Sequence, residues 1–210
     1  MIPKNSVPDQ SIIDNIEFNY FKIGKWIDKC VKHNGVAICA SAGPSLKDEM
    51  PKLKKLLLTN GDKAKVFCVK HSLPTLLQHG ITPYAVVILD PREVTGLSTH
   101  GIRRDSLLEK CPRDTIFLIA SMTHPSVTTF LKEKGANVIG WHAYSDTAKA
   151  WGKWNNDLMV LGGTCSAMRV LSVARVLGFR RFECFGFDFS IKERPEGYGV
   201  ELDKEGRPKY

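Results

Sequence analysis

Two carboxylates and two glycine turns carry the chemistry that this sequence offers. Asp90 ends the apolar run Ala85-Val86-Val87-Ile88-Leu89, and Asp188 follows the run that starts at Arg181. Both are candidate catalytic residues; Asp90 stands where it could hold a ribose hydroxyl, a metal or a proton. The first glycine turn is Ser41-Ala42-Gly43-Pro44-Ser45, directly after Val36-Ala37-Ile38-Cys39-Ala40. A strand that turns at glycine into a helix leaves backbone N–H groups pointing at one spot, which suits a phosphate. Ser45 with Asp48 three residues on has the capping-box spacing. The second turn, Gly162-Gly163-Thr164-Cys165-Ser166, repeats the arrangement ahead of another helical pattern. Lys70-His71, after Lys65-Val66-Phe67-Cys68-Val69, adds a cation and hydrogen-bonding groups at a third run's end. The first turn matches neither the phosphate loop of nucleoside triphosphatases nor the GxGxxG dinucleotide fingerprint.

These residues need a scaffold, and the patterning supplies one. Short continuous apolar runs start at Val36, Lys65, Ala85, Thr115, Val138, Leu158 and Arg181. Continuous rather than alternating runs are what parallel strands covered on both faces require. Helix-length segments separate most of them, including Met50–Leu58, Leu73–His79, Ser126–Glu133 and the stretch from Ser166 to Leu177. The expected fold is a three-layer α/β/α domain with a Rossmann-like, mainly parallel sheet. In such sheets ligands gather beyond the strand C-termini. All the residues named above then share one edge, with Gly43 and Gly163 opening on one cleft. Residues 1–35 read as a helical segment packed on the core, with one or two helices between Ser11 and His33 and no chemistry. Residues 36–190 are expected to form the Rossmann-like domain, and 191–210 a hairpin or truncated extension. Tyr144 to Trp154 reads as a surface helix packed by Trp151, and His142 as one more strand-end residue.

Composition narrows the function classes. The 210 residues carry a net charge of +8, but the basic residues are interleaved with acids along the whole chain. No arginine-rich arm or zinc-finger spacing is present, so nucleic acid is not the expected partner. A basic surplus also suits nucleotides, phosphates or acidic sugars. The six cysteines include no CxxC pair and three lie in apolar runs, which fits buried thiols in a reducing compartment. No apolar run approaches the ~20 residues of a membrane span, and the N-terminus lacks a signal-peptide core, so the expected location is cytoplasmic.

The order of motifs is similar to that of a known family. Ser41-Ala42-Gly43-Pro44-Ser45-Leu46, Val69-Lys70-His71-Ser72, His79-Gly80-Ile81-Thr82-Pro83, Leu89-Asp90-Pro91, Gly162-Gly163-Thr164 and Gly186-Phe187-Asp188 follow one another as in the MptE-like family. That family includes motility-accessory-factor (Maf) glycosyltransferases and archaeal-type 6-hydroxymethylpterin diphosphokinases. A more distant resemblance is to bacterial CMP-sialic acid sialyltransferases. The resemblance implies that Ser41, Ala42, Gly43, Pro44 and Ser45 surround nucleotide phosphates or ribose. Lys70, His71 and Asp90 would line the nucleoside end, Gly162, Gly163, Thr164 and Ser166 would cradle the donor, and Asp188 would close the pocket. It implies glycosyl transfer from a nucleotide-activated, CMP-type sugar to an acceptor that the motifs do not name. The alternatives are a pyrophosphokinase acting on a pterin-like alcohol, which would bring Mg²⁺, and a binding module without turnover. No histidine follows His142, whereas the sialyltransferase base lies beyond the last matched strand.

Overall fold

The structure is a computed structural model that describes residues 7–96, 103–163 and 165–188. Seven strands form one sheet: β1 (Val36–Ala40), β2 (Ala64–Val69), β3 (Ala85–Ile88), β4 (Ile116–Ala120), β5 (Asn137–Ala143), β6 (Met159–Val160) and β7 (Arg181–Phe185). Their order is β6-β5-β4-β3-β2-β1-β7, and every neighbouring pair is parallel. The chain therefore steps outward from β1 to β6, then returns across the whole sheet to place β7 on the other flank of β1.

Alternate side chains of each strand serve two separate cores. Val36, Ile38 and Ala40 of β1 join Leu46 of α2 (Ser45–Asp48), Leu53 of α3 (Met50–Asn60), Leu76 of α4 (Leu73–Gln78) and Leu131 of α5 (Pro125–Glu133). Ala37 and Cys39 face the other way, with Ile16 of α1 (Asp9–Lys22), Ala148 of α6 (Asp146–Ala150) and Val173 of α7 (Ser166–Val176). All five β1 residues are buried, as a strand sandwiched between two helical layers must be. The three-layer architecture follows from that double burial.

Among the described residues within 1–35 the structure has one helix, α1. It ends at Lys22, and the chain turns at Gly24 (φ +51°) into an extended stretch that bridges Trp26 to Gly140. Helical spacing persists in the apolar residues beyond Lys22, but the backbone bonds of Lys25 and Ile27 go to Gly140 instead. Nor is α1 inert. Asn19, fully buried, donates Nδ2 to the carbonyls of Ser121 (2.8 Å) and Thr123 (2.6 Å) and accepts from Thr128 Oγ1 (2.8 Å). Asn15 Nδ2 reaches the carbonyls of Pro91 and Met122. Two asparagines one helical turn apart thus pin the exits of β3 and β4. The reading of 191–210 as a hairpin or extension lies outside the described residues. Among the described residues, no helix is long and apolar enough to cross a membrane.

Candidate functional site

Because every strand is parallel, the exits of β1, β2, β3 and β7 collect the predicted residues at one carboxyl edge. The β1 exit differs from expectation in what occupies it. The Ser41 and Gly43 N–H groups donate to the carbonyls of Phe185 (2.8 Å) and Gly186 (2.9 Å). Ser45 donates its N–H to Asp188 Oδ2 at 2.8 Å and its hydroxyl to Asp188 Oδ1 at 2.6 Å. The Ser45 hydroxyl and N–H hold the Asp188 carboxyl below its ordinary range. The expected Ser45–Asp48 capping box is replaced: α2 has no local side-chain cap, and a carboxylate from beyond β7 satisfies its first N–H. Where a phosphate was expected to meet the Gly43 turn, Asp188 and the Gly186 carbonyl already stand.

Gly43 is required there for a reason other than ligand access. A Cβ on Gly43 would lie 2.5 Å from both the Gly186 carbonyl oxygen and Asp188 Oδ2. The neighbour is backbone and cannot rotate aside. Gly43→Val should therefore cost at least about 1–3 kcal/mol by overpacking and loosen β7. Urea unfolding of the variant measures it; a parent-like midpoint would show that the β1 and β7 exits are not packed in this way.

Beside this turn is a cleft of about 300 Å³, lined by Ala42, Gly43, Pro44 and Lys47 from the β1 side and by His71 and Thr75 from the β2 side. Ser72 Oγ lies 2.9 Å from the Ala40 carbonyl and 3.0 Å from that of Val69, tying the two exits together. Lys70 does not enter the cleft as a solvated cation. It is 7% exposed and pairs with Asp90, itself 4% exposed. Arg92 closes on the same carboxylate, Nε to Oδ1 at 2.8 Å and Nη2 to Oδ2 at 3.1 Å. Burial alone would raise the Asp90 carboxyl, but the Arg92 hydrogen bonds and the Lys70 charge outweigh it and hold it at about 2. Burial pulls the Lys70 ammonium down, against the opposing Asp90 charge. Asp90 is thus held ionised between Lys70 and Arg92. Sequence reasoning missed Arg92, which closes on Asp90, and Arg104, buried nearby with its Nε on the Glu93 carbonyl; the surplus of basic residues after Asp90 was visible, but not their placement.

The second glycine turn sits elsewhere on the same edge. Four strands separate β1 from β6, roughly 24 Å across the sheet. Gly163 does not line the cleft that Gly43 lines, so the expected shared cleft is not formed by those two turns. Ser166 opens α7, and Thr164 lies outside the described residues.

His142 is withdrawn from the edge altogether. It is 2% exposed, stacked on Trp26 at 4.0 Å between ring centroids and flanked by Trp154 and Tyr20. Neither ring nitrogen has a hydrogen-bond partner. Burial pushes the imidazole down to about 4, against a smaller opposing effect of Asp157. The unfolded chain then binds a proton below pH 6.5 that the folded one refuses until pH 4. Stability should fall as pH drops through that window, by up to about 3 kcal/mol. His142→Phe, which keeps a ring in the stack, should flatten the dependence between pH 6.5 and 4.5 in denaturant titrations. An unchanged slope would assign the acid sensitivity to other groups.

The pyrophosphokinase alternative would call for Mg²⁺ on carboxylates. Asp90 gives both oxygens to cations and Asp188 both to Ser45, and among the described residues no three His, Cys, Asp or Glu side chains gather as a metal site. Those two acids do not fit the ion.

Residues 10–194 match a family described as 6-hydroxymethylpterin diphosphokinase MptE-like. No curated protein matches the sequence. Among solved structures, the Maf glycosyltransferase from Magnetospirillum magneticum AMB-1 is similar, with a TM-score of 0.65 and 16% identity. The likeness is one of fold; it covers 88% of this chain and 28% of that one, so the chain spans less than a third of that protein's length. The family match takes in all seven strands and both glycine turns, and the chain belongs to the MptE-like family.

Proposed function

We propose that the chain is a nucleotide-dependent transferase that moves a glycosyl group from a CMP-type sugar donor bound along the carboxyl edge of the sheet. The observation that carries this reading is the Lys70–Asp90–Arg92 cluster. It keeps positive charge at the strand exits while tying up the carboxylate that a metal-bound triphosphate would need. In glycosyl transfer from a nucleoside monophosphate sugar, the bond from the anomeric carbon to the phosphate oxygen breaks. The leaving phosphate can be stabilised by fixed cations and N–H groups. The acceptor hydroxyl loses its proton to a base, and His71 is the histidine that lines the cleft. The similar Maf protein, a glycosyltransferase, supports the same chemistry.

The second reading, pyrophosphoryl transfer to a pterin-like alcohol, is favoured by the family's own description. A thermal-shift panel of CMP, CDP, UDP, GDP and ATP, each with and without Mg²⁺, separates the two, since a ligand that binds only the folded state raises Tm. A cytidine-nucleotide response indifferent to Mg²⁺ is expected. An ATP response that requires Mg²⁺ would overturn glycosyl transfer in favour of the kinase, and silence throughout would leave a module without nucleotide turnover.

A further inference from the structure

The sequence holds two Asn-Gly pairs, Asn34-Gly35 and Asn60-Gly61. Asparagine is a chemically labile residue, most of all before glycine, which has no side chain to keep its backbone nitrogen away from the neighbouring Cγ. Attack by that nitrogen requires it to give up its proton. A fold protects the pair when it ties the N–H to a carbonyl and fixes the asparagine side chain. The structure treats the two pairs in opposite ways.

At Asn60-Gly61 both groups are held. Asn60 Nδ2 donates to the Leu56 carbonyl at 2.9 Å, and the Gly61 N–H closes α3 on the Leu57 carbonyl. At Asn34-Gly35 the asparagine is exposed, and its side chain has no hydrogen-bond partner among the described residues. The Gly35 N–H donates to His33 Nδ1 at 3.0 Å, a base rather than a carbonyl. The state of that ring follows from its partners. Its Nε2 lies 3.2 Å from the Leu177 carbonyl, which can only accept, so Nε2 carries the proton. The Gly35 N–H can only donate, so Nδ1 is the basic nitrogen of a neutral imidazole.

The ring is also fixed in place. The His33 N–H donates to the Gly178 carbonyl at 3.1 Å, and the ring meets Phe179 edge-on with 4.3 Å between centroids. Gly35 fits there only as glycine: a Cβ would lie 2.8 Å from His33 Nδ1 and 2.9 Å from the Phe179 ring. The contacts beyond the end of α7 therefore set an imidazole on the nucleophilic nitrogen, within the distance at which a general base works.

We propose that His33-Asn34-Gly35 is a self-modifying site, at which His33 promotes conversion of Asn34 to aspartate and isoaspartate in the folded protein. His33 Nδ1 takes the Gly35 N–H proton as that nitrogen bonds to Asn34 Cγ. The bond from Cγ to the side-chain nitrogen then breaks, and ammonia leaves with the proton returned by His33. Water opens the resulting succinimide at one carbonyl or the other, giving aspartate or isoaspartate. Either product puts a carboxylate two residues before Val36, where β1 begins, and isoaspartate also lengthens the main chain there by a carbon.

The test compares the two sites within one sample. The full chain is incubated folded and, in parallel, unfolded by guanidinium chloride in the same buffer. Tryptic peptides 33–47 and 56–63 carry the two sites separately, and mass spectrometry reads each conversion. Unfolded, both sites should convert at rates within about threefold of each other, since the dipeptide alone acts. On folding, Asn60 should slow at least about tenfold, whereas Asn34 should convert at least as fast as in the unfolded chain. His33→Phe keeps a ring against Phe179 and should slow Asn34 at least about fivefold in the folded protein. The Asn60 rate in the same sample shows whether that variant is folded; if it is not, the comparison of folded and unfolded parent decides alone. If Asn34 slows on folding as Asn60 does, the site is overturned. If folded His33→Phe converts Asn34 at the parent rate, His33 is not the base and the proposal fails.

Discussion

Asp90→Ala should lower stability by about 3–5 kcal/mol, a large part of what a domain of this size has to lose. The reason is the state it leaves behind. Lys70 and Arg104 are 7% and 6% exposed, and Arg92 is held over the same carboxylate. Without Asp90, the buried Lys70 ammonium is left beside Arg104 and the partly exposed Arg92 with no carboxylate to offset it. Part of the loss should return in Lys70→Met/Asp90→Leu, which removes the most buried orphaned charge while Arg92, partly exposed, can turn to water. A double-mutant cycle by urea unfolding gives the coupling. The pH dependence supplies a second check. Asp90 is depressed from its ordinary value near 3.8 to about 2. Its contribution is therefore complete above pH 3.8 and is lost as pH falls toward 2. That loss should vanish in the double variant. A cost under 1 kcal/mol for Asp90→Ala would mean that the pair is solvated.

The second large effect is expected from Asn19, which no ligand argument involves. Asn19→Leu should cost about 3 kcal/mol or more, although leucine matches asparagine in shape. It strands the Ser121 and Thr123 carbonyls and the Thr128 hydroxyl in a fully buried place. Each orphaned group costs about 1–3 kcal/mol. Amide exchange around Met122 to Val127 should accelerate more than exchange in β1, because the substitution releases the β4 exit specifically. Uniform acceleration would mean that α1 supports the whole domain rather than this exit.

The fold was legible because its physics is local to each run. A strand covered on both faces has to be apolar at every position, and Val36–Ala40 or Ile116–Ala120 cannot hide that. What escaped is what depends on pairs far apart in the chain. Ser45 carries a correct local signal for a helix start, but its partner is 143 residues away and is an acid from the β7 exit. Asn15 and Asn19 look like ordinary polar positions of an amphipathic helix until the β3 and β4 exits are laid against them. Gly43 was read as a place where a ligand phosphate comes close; in the structure the Gly186 carbonyl and Asp188 come close there. The distance between the two glycine turns followed from strand order, and apolar periodicity does not encode which strands are neighbours. Lys70 and Asp90 were both flagged, yet as two separate contacts with a ligand instead of one buried pair with each other.

The return of β7 to the flank of β1 has a consequence for how the protein is made. Val36 pairs with Arg181, so one side of β1 stays open until almost the whole sheet has been synthesised. At ribosomal speeds that delay is on the order of ten seconds, while β2 can pair as soon as it emerges. Throughout it, Val36-Ala37-Ile38-Cys39-Ala40 presents an uncharged apolar ladder with unpaired N–H and C=O groups, the most adhesive kind of strand edge. Early aggregation of this protein should therefore proceed through β1. A chaperone that shields that segment should raise the yield of soluble protein more than any treatment of the finished fold.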